Sequence, residues 1–164
     1  MRFTAQEEYG LRCLMQIARA PGGFLTITEI ARQEGLTTAY AAKLMRALRR
    51  AGLVNSIRGQ KGGFVLTLPP GELTVGEVLA RLDGRLYTKQ FCTKYAGNDK
   101  VCTHTLDCSL RSVWGAIDFA VHRALGGITL ESLLAGESRM QTWLAERPDA
   151  EVVVPDPLPL TPNP

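Results

Sequence analysis

Two short helical segments of this chain are separated by only a few residues around Gly35, which leaves few folds open to it. The segment Thr26-Ile27-Thr28-Glu29 is a capping box that opens the first of them. Thr37 or Thr38 caps the second, and Gly52 follows its end. Two short helices joined by a tight glycine-containing turn form a helix-turn-helix, so the spacing predicts this motif near the centre of the fold.

A basic hairpin directly follows the two helices. Residues 53–57 and 64–68 are rich in β-branched and large apolar side chains, which is typical of strands. Between them, Arg58-Gly59-Gln60-Lys61-Gly62-Gly63 supplies glycines for the turn and cations for its tip. A basic hairpin in this position is a wing, and the chain is therefore expected to be mainly α with a small β-wing.

Further helices flank this unit on both sides. Capping boxes predict a first helix from Thr4 and Glu7 and a fourth helix from Thr74 and Glu77. No period holds from Asp83 to Asp107, so we expect a loop of the length that compact domains reserve for function. Three later helices are predicted at 109–125, at 130–134 behind Thr129, and at about 138–144. The apolar positions of the 109–125 helix follow the three-and-four spacing of a packing seam.

The charge distribution is uneven. The net charge is +3, but residues 1–68 carry ten Lys or Arg against four Asp or Glu, whereas residues 69–164 carry nine against twelve. No acidic residue lies between Gly35 and Gly71. A basic N-terminal half with a helix-turn-helix favours a polyanion as partner, and double-stranded DNA is the expected one. A protein-interaction module without DNA affinity is the competing hypothesis.

The helix-turn-helix and wing supply the predicted DNA contacts. The N-terminal end of a recognition helix lies at the base edges of the major groove, and its later cations hold phosphates. The tip of the wing can reach an adjacent minor groove, where a narrow A·T tract attracts cations. The predicted DNA-binding residues are Thr37, Thr38, Tyr40, Lys43, Arg46, Arg49, Arg50, Arg58, Gln60 and Lys61.

Other classes of protein are not expected. No run approaches the ~18–20 apolar residues that a membrane span needs, and the first residues lead into a charged segment rather than a signal peptide, so we expect no membrane and a cytoplasmic protein. No phosphate-binding glycine loop, nucleophile elbow or metalloprotease helix is present, so we expect no enzyme.

Several segments resemble the winged-helix regulators of the IscR and NsrR family, the Rrf family. The resemblance covers about residues 1–145 and rests on Leu36-Thr37-Thr38-Ala39-Tyr40, Leu48-Arg49-Arg50-Ala51-Gly52-Leu53-Val54, Ser56-Ile57-Arg58-Gly59, Gly62-Gly63-Phe64 and Ile128-Thr129-Leu130. It implies a homodimer whose long helices cross near the two-fold axis, a palindromic operator, and in many members an iron–sulfur cluster that controls DNA affinity. Repression is the commoner habit of the family.

The chain is expected to divide into four regions, the last of which holds six of the nine prolines. We expect a winged helix-turn-helix domain at 1–84 and a cysteine-bearing cluster loop at 85–108. The long dimerisation helix and short C-terminal helices follow at 109–147, and a proline-rich disordered tail at 148–164.

Three of the four cysteines are candidate metal ligands. Cys92, Cys102 and Cys108 are separated by nine and five residues, which is neither a zinc ribbon nor a ferredoxin spacing. Thiolates on one loop can nevertheless hold an iron–sulfur cluster or zinc. Cys13 lies among apolar residues of the first helix and is expected in the core.

The resemblance also bears on a fourth ligand. In the family three loop cysteines hold the cluster and a non-cysteine group completes it, and Cys108 matches the last cysteine. One branch uses a histidine three residues later, where this chain has Arg111; another uses a carboxylate from the first helix of the partner subunit, where this chain has Glu8. His104 is the alternative ligand, also for a zinc site. The longer stretch between the first two cysteines leaves both 2Fe–2S and 4Fe–4S open.

The leading hypothesis is therefore a DNA-binding transcription regulator, and a repressor by the family's commoner habit. It would sense redox state, nitric oxide or iron–sulfur status through a cluster. The alternative is a regulator controlled by zinc or by a thiol–disulfide exchange, without an iron–sulfur cluster.

Overall fold

The computed structural model describes residues 3–59, 62–82, 87–96, 102, 104 and 107–146. The chain divides into two compact units. The first unit holds residues 1–84 and 125–148, and the second holds residues 85–124 and 149–164. The elements are α1 (Ala5–Arg19), β1 (Phe24–Leu25), α2 (Ile27–Glu34), α3 (Thr38–Arg50), β2 (Val54–Ile57), β3 (Gly63–Leu66), α4 (Val75–Leu82), α5 (Lys89–Lys94), α6 (Ser109–Gly126), α7 (Leu130–Leu134) and α8 (Glu137–Ala145).

Side-chain caps fix where the helices of the first unit begin. The capping boxes at Thr4 and Thr26 are both complete, with the threonine oxygen accepting from the backbone of the third helical residue. Thr37, rather than Thr38, caps α3, since its hydroxyl oxygen accepts from the backbone N–H of Tyr40. Each cap satisfies backbone donors that a helix N-terminus otherwise leaves open, which explains why these boundaries were readable locally.

The sheet has one strand more than the sequence indicates. Its order is β1-β3-β2, and both pairings are antiparallel. The added strand, β1, has only two residues, so no alternation of apolar and polar residues could show it. It fits because Gly63 has no side chain: a Cβ there would lie 2.6 Å from the carbonyl oxygen of Leu25.

The hydrophobic core joins α1, the helix-turn-helix, the sheet and two later elements. Its fully buried side chains include Leu14, Ile30, Leu48, Val78 and Leu130. The core therefore forms directly behind α2 and α3 and holds their inner faces.

The C-terminal helices return to the first unit. Leu130 donates its backbone N–H to the carbonyl of Leu73 at 2.8 Å, and Val75 donates to Ile128 at 2.8 Å. A β-bridge between Thr74 and Thr129 lies between these two bonds. From the sequence these helices are grouped with the long helix, but backbone pairing places α7 against the segment before α4.

The second unit contains α5 and most of α6. The expected unstructured loop at 83–107 is wrong in part, because residues 89–94 form α5. Phe91 packs its ring against Tyr87, Tyr95 and Trp114 at centroid distances of 5.5, 4.7 and 6.4 Å. Aromatic packing thus stabilises a six-residue helix that is too short to show a period.

Two further expectations concern the C-terminal tail and membrane-spanning helices. The predicted disordered tail at 148–164 lies outside the described residues. In the segments that the structure does describe, no helix is long and apolar enough to cross a membrane.

Candidate nucleic-acid interface and cysteine site

One side of α3 is cationic and the other is buried. Ala41, Leu44, Met45, Ala47 and Leu48 face the core. The side chains of the four cations of this helix are all exposed, and none forms an ion pair with a described residue; they are Lys43, Arg46, Arg49 and Arg50. Since α3 and the turns around it contain no acidic residue, the exposed face carries a single sign of charge.

The N-terminal end of α3 presents small polar groups. Thr37 and Thr38 are exposed, and the Thr37 hydroxyl is engaged as the helix cap. Tyr40 is half-buried, and its ring packs edge-on against Tyr9 of α1 with the centroids 5.9 Å apart. The Tyr40 ring therefore packs α1 against α3, and it lies in the first turn of α3.

The base of the wing is present as expected. Strands β2 and β3 pair from Val54 opposite Leu66 to Ile57 opposite Gly63. Arg58, directly after β2, is exposed. The other two predicted contacts of the wing, Gln60 and Lys61, lie outside the described residues.

An ion pair with a buried carboxylate joins α1 to the end of α2. The Glu34 carboxylate accepts from Arg12 Nε at 2.5 Å and from Gln16 Nε2 at 2.6 Å. The Glu34 side chain is only 3% exposed, whereas that of Arg12 is 46% exposed. The sequence analysis did not predict this pair. A carboxylate in the last turn of a helix is unfavourable beside the helix dipole, so the position of Glu34 was the available indication that it has a cationic partner.

The candidate metal-binding cysteines lie in the second unit. Cys92, Cys102 and Cys108 are all half-buried free thiols. Cys92 lies on α5, and its sulfur is 3.6 Å from the hydroxyl oxygen of Tyr87. Cys108 directly precedes α6.

Tyr87 connects this site to α6. Its pKa is raised to about 12, first by burial and then by its hydrogen bond to Cys92 and by the charges of Cys92 and Cys108. Its backbone N–H donates to the buried carboxylate of Asp118 at 3.3 Å. Two of the three cysteines therefore lie within electrostatic reach of one phenol.

The proposed fourth ligands differ in position. Glu8 is exposed on the first turn of α1, in the other unit of the chain. His104 is exposed, and its carbonyl oxygen accepts from Arg111 at 3.2 Å. Within the described part of the chain, no three His, Cys, Asp or Glu side chains are gathered closely enough to hold a metal ion.

Cys13 is a core residue, as predicted. It is fully buried in α1 among Leu14 and Ile17. Burial, and then the nearby Glu34 carboxylate, raise its thiol pKa to about 12. It therefore remains a neutral thiol at physiological pH, and it belongs to the first unit, whereas the other three cysteines belong to the second.

Comparison with known proteins identifies the family. Residues 3–136 match the family described as "Rrf2: Iron-dependent Transcriptional regulator". The chain is 29% identical over 156 residues to the HTH-type transcriptional regulator IscR of Aliivibrio salmonicida, covering 92% of this chain and 87% of the relative.

Two solved structures show the same architecture. One is CymR, the global cysteine regulator of B. subtilis, with a TM-score of 0.63 and 29% identity over 82% of this chain and 97% of the neighbour. The other is IscR of T. potens, with a TM-score of 0.62 and 28% identity over 82% of this chain and 87% of the neighbour. All these relatives are regulators, which agrees with the expectation that the chain is not an enzyme. With its winged helix-turn-helix and these matches, the chain belongs to the Rrf2 family of DNA-binding transcription regulators.

Proposed function

We propose that a homodimer of this chain binds a palindromic operator, with α3 in the major groove and the wing in the adjacent minor groove. The observation that carries this proposal is the face of α3, where four exposed cations lie opposite five buried core residues. In this arrangement Thr37, Thr38 and Lys43 stand nearest the base edges, and Tyr40 stands beside them on the buried side. Arg46, Arg49 and Arg50 then hold phosphates.

The surface of α6 supports a homodimer. Leu110, Val113, Trp114 and Ile117 follow helical spacing and are each between 39 and 59% exposed. A contiguous apolar stripe of this kind on a monomer marks an interaction surface. Pairing α6 with its copy about a two-fold axis buries the stripe and gives a dimer with two copies of α3, one for each half-site of a palindrome.

Three free thiols in one unit support a regulatory cluster. Cys92, Cys102 and Cys108 supply the soft ligands that iron–sulfur clusters select, and the matched family is described as iron-dependent. The donor chemistry therefore fits a cluster, although the three sulfurs are not gathered in this structure. Glu8 of a partner subunit or His104 would complete the ligand set. The chemical state of such a cluster would change on reaction with an oxidant or nitric oxide. The dimer then acts as a repressor that responds to that state.

The second candidate function is a thiol switch. It is favoured by the shared environment of Cys92 and Cys108 around Tyr87. A peroxide, reduced to water by two electrons and two protons from two thiols, would leave a disulfide between Cys92 and Cys102 or Cys108 and change the segment before α6 without a metal. A zinc-bound form is the metal-containing version of this alternative.

The DNA-binding proposal is tested by replacing one cation on the α3 face. Arg46→Ala should weaken binding to an operator duplex and lower the slope of log affinity against log salt by about 1, because one phosphate contact is lost. Arg139→Ala on α8 removes the same charge from an exposed helix elsewhere in the first unit and is the matched control. Equal effects of both variants would reject α3 as the contact surface.

The cluster proposal is tested on protein purified without oxygen. Visible absorption, with iron, sulfide and zinc measured on the same sample, should show matched iron and sulfide that are lost in Cys108→Ala. Glu8→Ala and His104→Ala then distinguish the fourth ligands, because only the true ligand changes the spectrum. A colourless protein without metal supports the thiol switch, and one zinc per chain supports the zinc form; either result rejects the cluster.

A further inference from the structure

A carboxylate is buried at the turn of the helix-turn-helix. Glu34 is the last residue of α2, and the next residue, Gly35, adopts a left-handed conformation with φ of 64°. A negative charge is unfavourable at a helix C-terminus, and its burial is also unfavourable unless the charge is paired. Arg12 and Gln16 of α1 offset both unfavourable contributions, because they donate to the two carboxylate oxygens of Glu34. The end of α2 is thus tied to α1.

The same helix also contacts the other side of the turn. Tyr9 of α1 meets Tyr40, in the first turn of α3, as an edge-to-face pair. The guanidinium of Arg12 lies 5.2 Å from the centre of the Tyr9 ring, within range of a cation–π contact. Arg12 therefore contacts both Glu34, the last residue of α2, and Tyr9, which packs against the first turn of α3.

We propose that Arg12, Glu34, Tyr9 and Tyr40 form a brace through which α1 sets the orientation of α3 for DNA binding. Arg12 and Glu34 are positioning residues, since they act on the DNA-facing side chains through α3. This inference rests on the proposed role of α3 as the recognition helix. It adds a determinant of affinity, the Arg12–Glu34 pair, whose two residues make no DNA contact themselves.

The direction in which DNA affinity changes distinguishes the brace from an effect of net charge alone. Glu34→Gln makes the protein more positive by one charge, which by itself favours binding to a polyanion. The substitution also replaces an acceptor of Gln16 by a donor and weakens the ion pair with Arg12. The brace therefore predicts weaker binding where charge alone predicts tighter binding.

The experiment uses the full-length protein and a duplex that the wild-type protein selects from a random library. Dissociation constants are measured over a range of salt concentrations, with far-UV circular dichroism and thermal unfolding for each variant. Glu34→Gln should weaken binding about tenfold at each salt concentration with an unchanged salt slope, because no phosphate contact is lost. Glu72→Gln removes an exposed carboxylate from the same unit and should cause no loss.

The outcomes distinguish this inference from the proposed function. If Arg46→Ala changes neither affinity nor salt slope, α3 is not the contact surface and both proposals are wrong. If Arg46→Ala weakens binding but Glu34→Gln binds as tightly as wild type or more tightly, the brace alone is wrong. A fall in melting temperature with unchanged affinity of the folded protein also rejects the brace, since it shows a merely structural role.

A second variant covers the case in which Glu34→Gln does not fold at the assay temperature. Arg12→Lys keeps the charge but replaces the Nε donor and the flat guanidinium that lies on Tyr9. The brace predicts a severalfold loss of affinity with an unchanged salt slope, and wild-type affinity overturns it. Where both substitutions fold, the double variant should bind no more weakly than the weaker single variant, because the two residues act as one unit.

Discussion

The two units of this chain bury their residues in different ways. Among the residues that the structure describes, every fully buried apolar side chain belongs to the first unit. In the described part of the second unit, the only buried residue is a carboxylate, Asp118. The exposed large apolar side chains of the described part of the second unit instead lie on α6 or, in the case of Tyr95, in the aromatic group around Phe91.

This contrast indicates which unit is complete in a single chain. Burial of apolar surface is the main favourable contribution to folding, so the first unit has its own source of stability. The described part of the second unit has little core of its own, and its exposed stripe and free thiols are the groups that a second chain or a metal would cover. Regulation is therefore expected to act on the second unit, and DNA binding on the first.

The largest test of this contrast places a charge on the stripe of α6. Ile117→Asp buries one carboxylate per chain in the proposed interface and should weaken the dimer by about 4 kcal/mol, or roughly a thousandfold. Sedimentation velocity over a range of concentrations measures the effect. Ile57→Asp is the matched control, because Ile57 is 44% and Ile117 42% exposed. A dimer that survives Ile117→Asp would show that α6 is not the interface.

A core substitution compares the units directly. Leu14→Ala removes a fully buried side chain of the first unit and should lower the free energy of unfolding by about 3 kcal/mol. Leu110→Ala, measured in the Ile117→Asp background so that association does not contribute, should cost about 0.5 kcal/mol or less because Leu110 is exposed. Urea denaturation followed by circular dichroism gives both values. Similar losses would contradict the proposed difference between the units.

The cysteine of the first unit should make stability fall at high pH. The Cys13 thiol has a pKa of about 12 in the folded protein against an ordinary value of 9.0. Between these values the unfolded chain holds fewer protons, so the stabilisation is complete below pH 9 and decreases by about 1.4 kcal/mol per pH unit above it. Urea denaturation at several pH values should show this slope in wild type and a smaller one in Cys13→Ala. Equal slopes would show that Cys13 is not desolvated.

The smallest expected difference in unfolding free energy between the two units comes from their helix caps. The Thr26 side chain caps α2, whereas the Thr88 side chain makes no capping hydrogen bond at α5. Thr26→Ala should therefore lower the free energy of unfolding by about 1 kcal/mol, and Thr88→Ala should leave it almost unchanged. Thermal unfolding of the two variants measures the difference. An equal cost at Thr88 would mean that its hydroxyl has a partner in solution.

Local chemistry accounts for what could be predicted. Threonine caps and apolar periodicity depend only on neighbouring residues, and they gave α1 to α4 and the two wing strands close to their observed bounds. The acid-free basic segment likewise showed the cationic face of α3. The candidate DNA-binding and metal-binding residues remain predictions, because their roles depend on partners.

Spacing along the chain predicted α1 to α4, α6 to α8, the wing and the positive charge on α3, since each depends on residues that are close in sequence. The pairing of β1 with β3, the place of α7 in the first unit and the burial of Glu34 against α1 are visible only in the folded chain. These features join residues far apart in sequence, and their stability comes from backbone pairing and desolvation that no local pattern records.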